Sequence, residues 1–147
     1  MFKTNPPDMI YLTRRESFSA SHRMFRHDWS DEENFRIFGK CSYPNWHGHN
    51  YILYVTVKGV IKPENGFVIN MNILKQIIRD RVIDRVDHRN INLDVDFMKG
   101  KVATTENLAI AVWDQLKDPI EKEGALLHCI RIEETENNSI EYYGEKD

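Results

Sequence analysis

Two histidines separated by one glycine, His47-Gly48-His49, stand six residues after Cys41, one of only two cysteines in the chain. Imidazoles and thiols are the side chains that most readily bind transition metals and shuttle protons near neutral pH. The residues that follow alternate. His47, His49, Tyr51, Leu53, Val55 and Val57 take one parity, and Tyr54, Thr56 and Lys58 the other. A period of two argues a β-strand with one buried face. Both imidazoles then point the same way, ~6.5 Å apart at about 3.3 Å per residue. That spacing suits two ligands of one metal, and Gly48 leaves the opposite face uncrowded.

A third histidine belongs to another alternating stretch, Ile10 to Met24, where Phe18, Ala20 and His22 share one face and Ser17, Ser19 and Ser21 the other. A lone histidine closing an apolar face is ordinarily a packed core residue. As a third imidazole facing the same way, His22 completes the protein ligands of a catalytic zinc with one position open. Cys41 as fourth ligand would instead describe a structural zinc. Against that, a chain of 147 residues has core enough without a metal staple, and Pro44-Asn45 suggests a turn holding the thiol away.

Asp87-His88 reads either as a surface pair at a helix end or as a relay. In the relay, the carboxylate orients an imidazole that takes a proton from a thiol. A free thiol titrates near ~8.5, so Cys41 needs such a neighbour to act as a base at neutral pH. Glu134 closes an apolar strand face. Either the strand reaches solvent there, or the carboxylate meets paired N–H donors of a flat heterocycle. Glu133 falls on the opposite, solvated face. Glu106 suits the first turn of a helix, His27 the surface, and His128 and Cys129 a packed strand.

The elements that must position these groups are legible in order. Residues 1–9, with Asn5-Pro6-Pro7-Asp8, form a loose arm. Ser30-Asp31-Glu32-Glu33 is a capping box opening a short helix to about Phe38, with Gly39 as its C′ residue. The strand from His47 reaches about Ile61, and Asn65-Gly66 turns the chain. Asn70 caps a helix over Met71 to Val86, whose stripe is Ile73, Leu74, Ile77, Ile78 and Val82. Leu93 to Ala103 connects to a second helix, capped at Thr104-Thr105 and stopped before Pro119. A strand after Gly124 places Leu126, His128, Ile130, Ile132 and Glu134 on one face, and a short strand Ile140 to Tyr143 ends the pattern. The order β-β-α-α-β-β gives an α+β class: a four-stranded antiparallel sheet with helices on one side.

The bulk numbers agree with one domain over residues 1–147: 41% hydrophobic, 29% charged. A formal net charge of −3 argues against a general nucleic-acid binder. Neither an apolar leader nor a membrane-length apolar run is present, and two cysteines read as free thiols, so a cytoplasmic protein is expected.

With these pieces laid out, the chain resembles the 6-pyruvoyl-tetrahydropterin synthase family from about Arg15 to Gly144. The motifs are Phe18-Ser-Ala-Ser-His-Arg23, Ser30-Asp-Glu-Glu-Asn34, Phe38-Gly-Lys-Cys41, Pro44-Asn45, His47-Gly-His-Asn-Tyr51, Asp87-His88, Thr104-Thr-Glu-Asn107 and Glu134-Thr135. The resemblance implies the tunnelling fold, an antiparallel sheet with two helices on one face that trimerises into a β-barrel. Two trimers make a homohexamer with active sites at subunit interfaces. It implies a carbon–oxygen lyase that eliminates triphosphate from 7,8-dihydroneopterin 3′-triphosphate, with internal redox isomerisation to 6-pyruvoyl-tetrahydropterin. By motif, His22, His47 and His49 correspond to zinc ligands, and Cys41 to the general base, with Asp87 and His88 as its relay. Glu134 corresponds to the pterin anchor, with Thr105 and Glu106 as further pocket residues. Magnesium is the expected companion of the triphosphate.

Two alternatives share the fold: a 6-carboxytetrahydropterin synthase of queuosine biosynthesis and a non-catalytic pterin-binding protein. Cys41 stands six residues before His47, as in the biopterin enzymes, not four. One departure is Trp46, where the family usually has glycine. If that position needs a positive φ, the indole is strained there.

Overall fold

A computed structural model describes residues 5–147. Of the arm expected over residues 1–9, residues 1–4 lie outside the described residues, and 5–9 carry no regular structure. The two alternating stretches form β1 (Ile10–His22) and β2 (His47–Gly59), paired antiparallel along their whole length. β1 ends two residues before the expected Met24. Beyond it the backbone N–H of Arg23 turns to the Asn92 side chain, and that of Met24 to the Cys41 carbonyl.

Between these strands lie α1 (Asp31–Phe38) and a 3-10 turn, Gly39–Ser42. Ser30 caps α1 by accepting from the Glu33 N–H. Glu33 does not complete the reciprocal half of a capping box; its carboxylate takes both guanidinium contacts of Arg36 instead. Gly39 has φ +59°, a conformation open to glycine at a helix end.

Asn70 caps α2 (Met71–Ile78), which runs through a π-helical turn, Arg79–Ile83, into α3 (Asp84–Val86). The expected helix over Met71 to Val86 is therefore one rod with an internal widening. Arg79 in that turn reaches back to Glu16 of β1, which also takes the guanidinium of Arg14. Burial alone would raise the Glu16 carboxyl, but these hydrogen bonds outweigh it and hold it below its ordinary range.

Two elements depart from the sequence expectation. α4 (Thr105–Lys122) does not stop before Pro119 but carries it inside the helix. Leu116 and Ile120, both fully buried, keep the last turn docked despite the missing N–H. The sheet has five strands, not four. β3 (Arg89–Asn90) adds a two-residue parallel pairing to β1 at the edge, giving the order β3-β1-β2-β4-β5 with β4 (Leu126–Thr135) and β5 (Asn138–Tyr142). The sheet is thus mixed and only mostly antiparallel.

The face assignment of β4 is also corrected. A bulge opposite Thr56 and Val57 makes their partners Cys129 and Leu127, skipping His128. Leu127 turns into the core, while Leu126 and His128 face outward, His128 between Tyr11 and Tyr143. From Ile130 onward the expected parity holds. The core lies between one face of the sheet and the helices, with Leu53, Val55, Leu74, Ile78, Leu116 and Ile130 fully buried. No helix among the described residues is long and apolar enough to cross a membrane.

Candidate metal centre and active site

The register of the first hairpin sets the geometry. His22 stands directly opposite His47, and Ala20 opposite His49, so all three imidazoles rise from one face at the end of the β1–β2 pair. Their ring centroids are 4.5, 5.1 and 5.0 Å apart. One nitrogen of each lies within 4.8 Å of the others, close enough to share one ion. Gly48 faces the other way, where a Cβ would sit 3.2 Å from the Ala20 carbonyl oxygen. Tyr51, one residue pair further along β2, floors the cluster and stacks on Phe18.

His22 is completely buried and donates Nδ1–H to the Ala103 carbonyl at 2.7 Å. That bond fixes the tautomer and leaves the Nε2 lone pair facing the other rings. The Nε2 atoms of His22, His47 and His49 are all buried without a hydrogen-bond partner. Buried polar atoms are rarely left unpaired, and three converging orphan lone pairs fit a metal ion. Burial pushes His22 and His47 below the usual imidazole range, aided by the neighbouring imidazoles (His47 and His49 for His22, His49 for His47), which favours the neutral form that binds metal.

Glu134 sits at a second bulge, where the β4–β5 register shifts between Glu133 and Thr135. Bulges re-aim side chains beside active sites. Here the carboxylate turns toward the histidines and accepts a short hydrogen bond from the Thr105 hydroxyl. Its other oxygen lies 3.0 Å from His49 Nε2, but off the direction a hydrogen bond requires, so the contact is a close approach of charge only. Thr105, Glu106 and Glu134 line a cavity of about 380 Å³, with Met24 and Phe38 as apolar walls. Glu133 points away and pairs with Arg131 at 3.0 Å.

Cys41 lies half-buried in the 3-10 turn and is a free thiol, as is Cys129. Burial, and then the charge of Glu134, push its thiol up from the ordinary value. The thiol by itself is therefore protonated at neutral pH and needs a base.

The structure brings Asp87 and His88 together but not to Cys41. Asp87 Oδ1 accepts from the backbone N–H of Ser19 at 2.9 Å, and Oδ2 lies 3.0 Å from His88 Nδ1. The Ser19 hydrogen bond, and then His88, hold the Asp87 carboxyl below its usual range. Adjacent side chains reach one another here because His88 has φ +59°, and its backbone N–H is tied to the Ser19 carbonyl. The His88 side chain is 83% exposed at the β1 edge. No hydrogen bond or ion pair among the described residues joins this pair to Cys41 or to the histidine cluster.

Trp46, immediately before His47, has φ +65°. The left-handed region costs a non-glycine residue about 1–2 kcal/mol. Trp46→Gly is therefore expected to raise stability by about 1 kcal/mol after glycine's greater chain entropy is subtracted. Thermal unfolding of the two proteins at equal metal loading checks this; a lowered midpoint would mean the indole's packing outweighs its backbone strain.

The Ala103 carbonyl, the Ser19 backbone and Tyr51 support the site without a sequence signal for that role. A backbone carbonyl or amide leaves no mark in residue type. Tyr51 was visible only as one more residue of an apolar face.

The family model described as 6-pyruvoyl tetrahydropterin synthase matches residues 11–145. A 6-pyruvoyl tetrahydrobiopterin synthase of Dictyostelium discoideum is 47% identical over 136 residues, 92% of this chain and 97% of its own. The Homo sapiens protein of the same name is 43% identical over 134 residues, 91% of each chain. A solved Caenorhabditis elegans 6-pyruvoyl tetrahydropterin synthase superposes with a TM-score of 0.86 at 38% identity, covering 97% of this chain and all of that one.

Proposed function

The chain belongs to the 6-pyruvoyl tetrahydropterin synthase family, and from that premise we propose that it converts 7,8-dihydroneopterin 3′-triphosphate to 6-pyruvoyl-tetrahydropterin and triphosphate. The observation that carries the site assignment is the set of three buried, unpartnered imidazole Nε2 atoms beside the Glu134 carboxylate. His22, His47 and His49 would hold the zinc ion. Zinc, when bound, supplies Lewis-acid polarisation of the substrate's side-chain oxygens, which acidifies the adjacent C–H bonds.

The remaining work falls to the chain itself. Glu134 and Thr105 anchor the pterin through its adjacent ring N–H and amino donors, a bidentate arrangement suited to a carboxylate. Met24 and Phe38 supply apolar walls against its ring. Cys41 moves the side-chain protons, and the reaction needs no redox cofactor because the reduction is internal. Magnesium accompanies the triphosphate.

Cys41 requires a base, while the Asp87–His88 pair points to solvent with its proton-accepting nitrogen free. The relay is therefore supplied by a neighbouring copy. The sheet favours such an assembly: β3 pairs with only Ala20 and Ser21, leaving most of the thirteen-residue β1 edge open, and β5 exposes the opposite edge. Edge-to-edge pairing of these strands closes a trimeric barrel and removes the free edges. Two such barrels make the hexamer, each chain one tunnelling-fold domain in the cytoplasm.

The test is incubation of metal-quantified protein with dihydroneopterin triphosphate, following triphosphate release and product mass. A product keeping the three-carbon side chain, lost on chelation and restored by zinc, is expected. Release of acetaldehyde would reassign the chain to the 6-carboxytetrahydropterin branch. Binding without turnover would leave only a pterin-binding protein.

A further inference from the structure

A second cavity, of about 550 Å³, adjoins the histidine cluster along two short stretches of chain. Trp46 in its wall precedes His47, and Val102 precedes Ala103, whose carbonyl holds His22. Neither Glu134 nor Thr105 lines it, but this cavity and the one assigned to the pterin share chain segments. Met24 lines one and Phe25 the other, Thr104 one and Val102 the other, and Ala103 between the last two holds His22.

The two cavities differ in charge. The pterin side carries Glu106 and Glu134 and no lysine or arginine. The second carries Arg26, His27 and Lys101 against a single carboxylate, Asp28. Asp28 is engaged by Arg26 through two hydrogen bonds, at 2.8 and 2.6 Å. Lys101 and His27 are left without an ion-pair partner among the described residues. The wall is held in place: Asn92 accepts from the Arg23 N–H and donates to the Arg23 carbonyl, tying the strand exit to the 92–102 loop. The His27 ring meets Phe25 edge-on at 4.5 Å.

We propose that this cavity receives the polyphosphate end of the substrate, with Lys101 and His27 as its anion-binding side chains. This rests on the synthase reading. A substrate whose flat ring lies against Glu134 and whose side-chain oxygens meet the histidines must carry its third carbon and triphosphate past them. A triphosphate needs an unpaired cation and further N–H donors there, which Lys101 and the His27 ring supply. The shallow face beside Ser19, His88 and Arg89, which touches His49, is the rival: Arg89 has no ion-pair partner among the described residues, but its His88 is paired with Asp87 and it carries the carboxylate of Asp94.

Inorganic tripolyphosphate is the probe, titrated calorimetrically into the metal-loaded protein, with metal content measured before and after because polyphosphates chelate. Unphosphorylated dihydroneopterin is titrated in parallel. Lys101→Glu is expected to weaken tripolyphosphate at least ten-fold and His27→Ala several-fold, with dihydroneopterin affinity held within two-fold. Tripolyphosphate affinity unchanged in Lys101→Glu, parallel loss of dihydroneopterin, or loss on Arg89→Glu instead would overturn the assignment. Lys101-dependent tripolyphosphate binding by a wild-type protein that fails to turn over the pterin triphosphate would uphold the anion site and sink the synthase reading.

Discussion

Cys41→Ala is expected to lower kcat by about 10²–10⁴, the range a positioned proton-transfer group supplies, with metal content per chain unchanged. Among the described residues the thiol makes no side-chain hydrogen bond and is not among the three whose ligand atoms converge. Removing its sulfur therefore leaves the histidine cluster intact. Its half-buried position beside Glu134 raises its affinity for a proton, so the variant tests whether an activated thiolate is required. Metal analysis and single-turnover kinetics on the same preparation separate the two roles. Metal lost together with activity would make Cys41 a fourth ligand and the centre a closed, structural one. Activity retained would move the proton transfers to another group.

His22→Ala is expected to abolish metal binding and also to destabilise the metal-free fold. The ring is completely buried, and its two nitrogens serve different ends: Nε2 converges with the other imidazoles, and Nδ1–H satisfies the Ala103 carbonyl. Truncation leaves an unpaired buried carbonyl, about 1–3 kcal/mol, within a cavity; together these cost ~3–5 kcal/mol, as for other buried rings. His49→Ala provides the contrast. Its side chain is 18% exposed and makes no equivalent backbone bond, so metal is lost with a smaller fall in stability. Urea unfolding of the three metal-free proteins, with metal stoichiometry measured beforehand, reads both effects. Full metal occupancy in His22→Ala would remove it from the ligand set. Equal stability of the two metal-free variants would show that the Ala103 bond is not what holds the residue.

How these residues came to be legible follows from periodicity. A strand alternates faces every residue, so the parity of Phe18, Ala20 and His22, and of His47, His49 and Tyr51, follows from the chain alone, as do the caps at Ser30, Asn70 and Thr104. These are local rules, satisfied within a few residues of themselves. The pairing of His22 with His47 is not local, although two long alternating stretches leave few other registers that bury both apolar faces.

What escaped the sequence depended on partners distant in the chain. The bulge at His128 reversed the faces of Leu126 and Leu127 because the β2 register, not the β4 pattern, decided which residue is skipped. Pro119 stayed helical because Ile120 had a core to enter. The fifth strand needed the Ser19 and Ser21 backbones to capture residues 88–91. The Asp87–His88 pair was formed by a positive φ that only that docking enforces, and it was set facing solvent, apart from Cys41. The sequence by itself determined the chemistry available and the face each ligand would take, because residue type and parity are properties of short segments. Tertiary structure alone decided which groups meet, because register, bulges and docked loops are set by contacts between segments far apart in the chain.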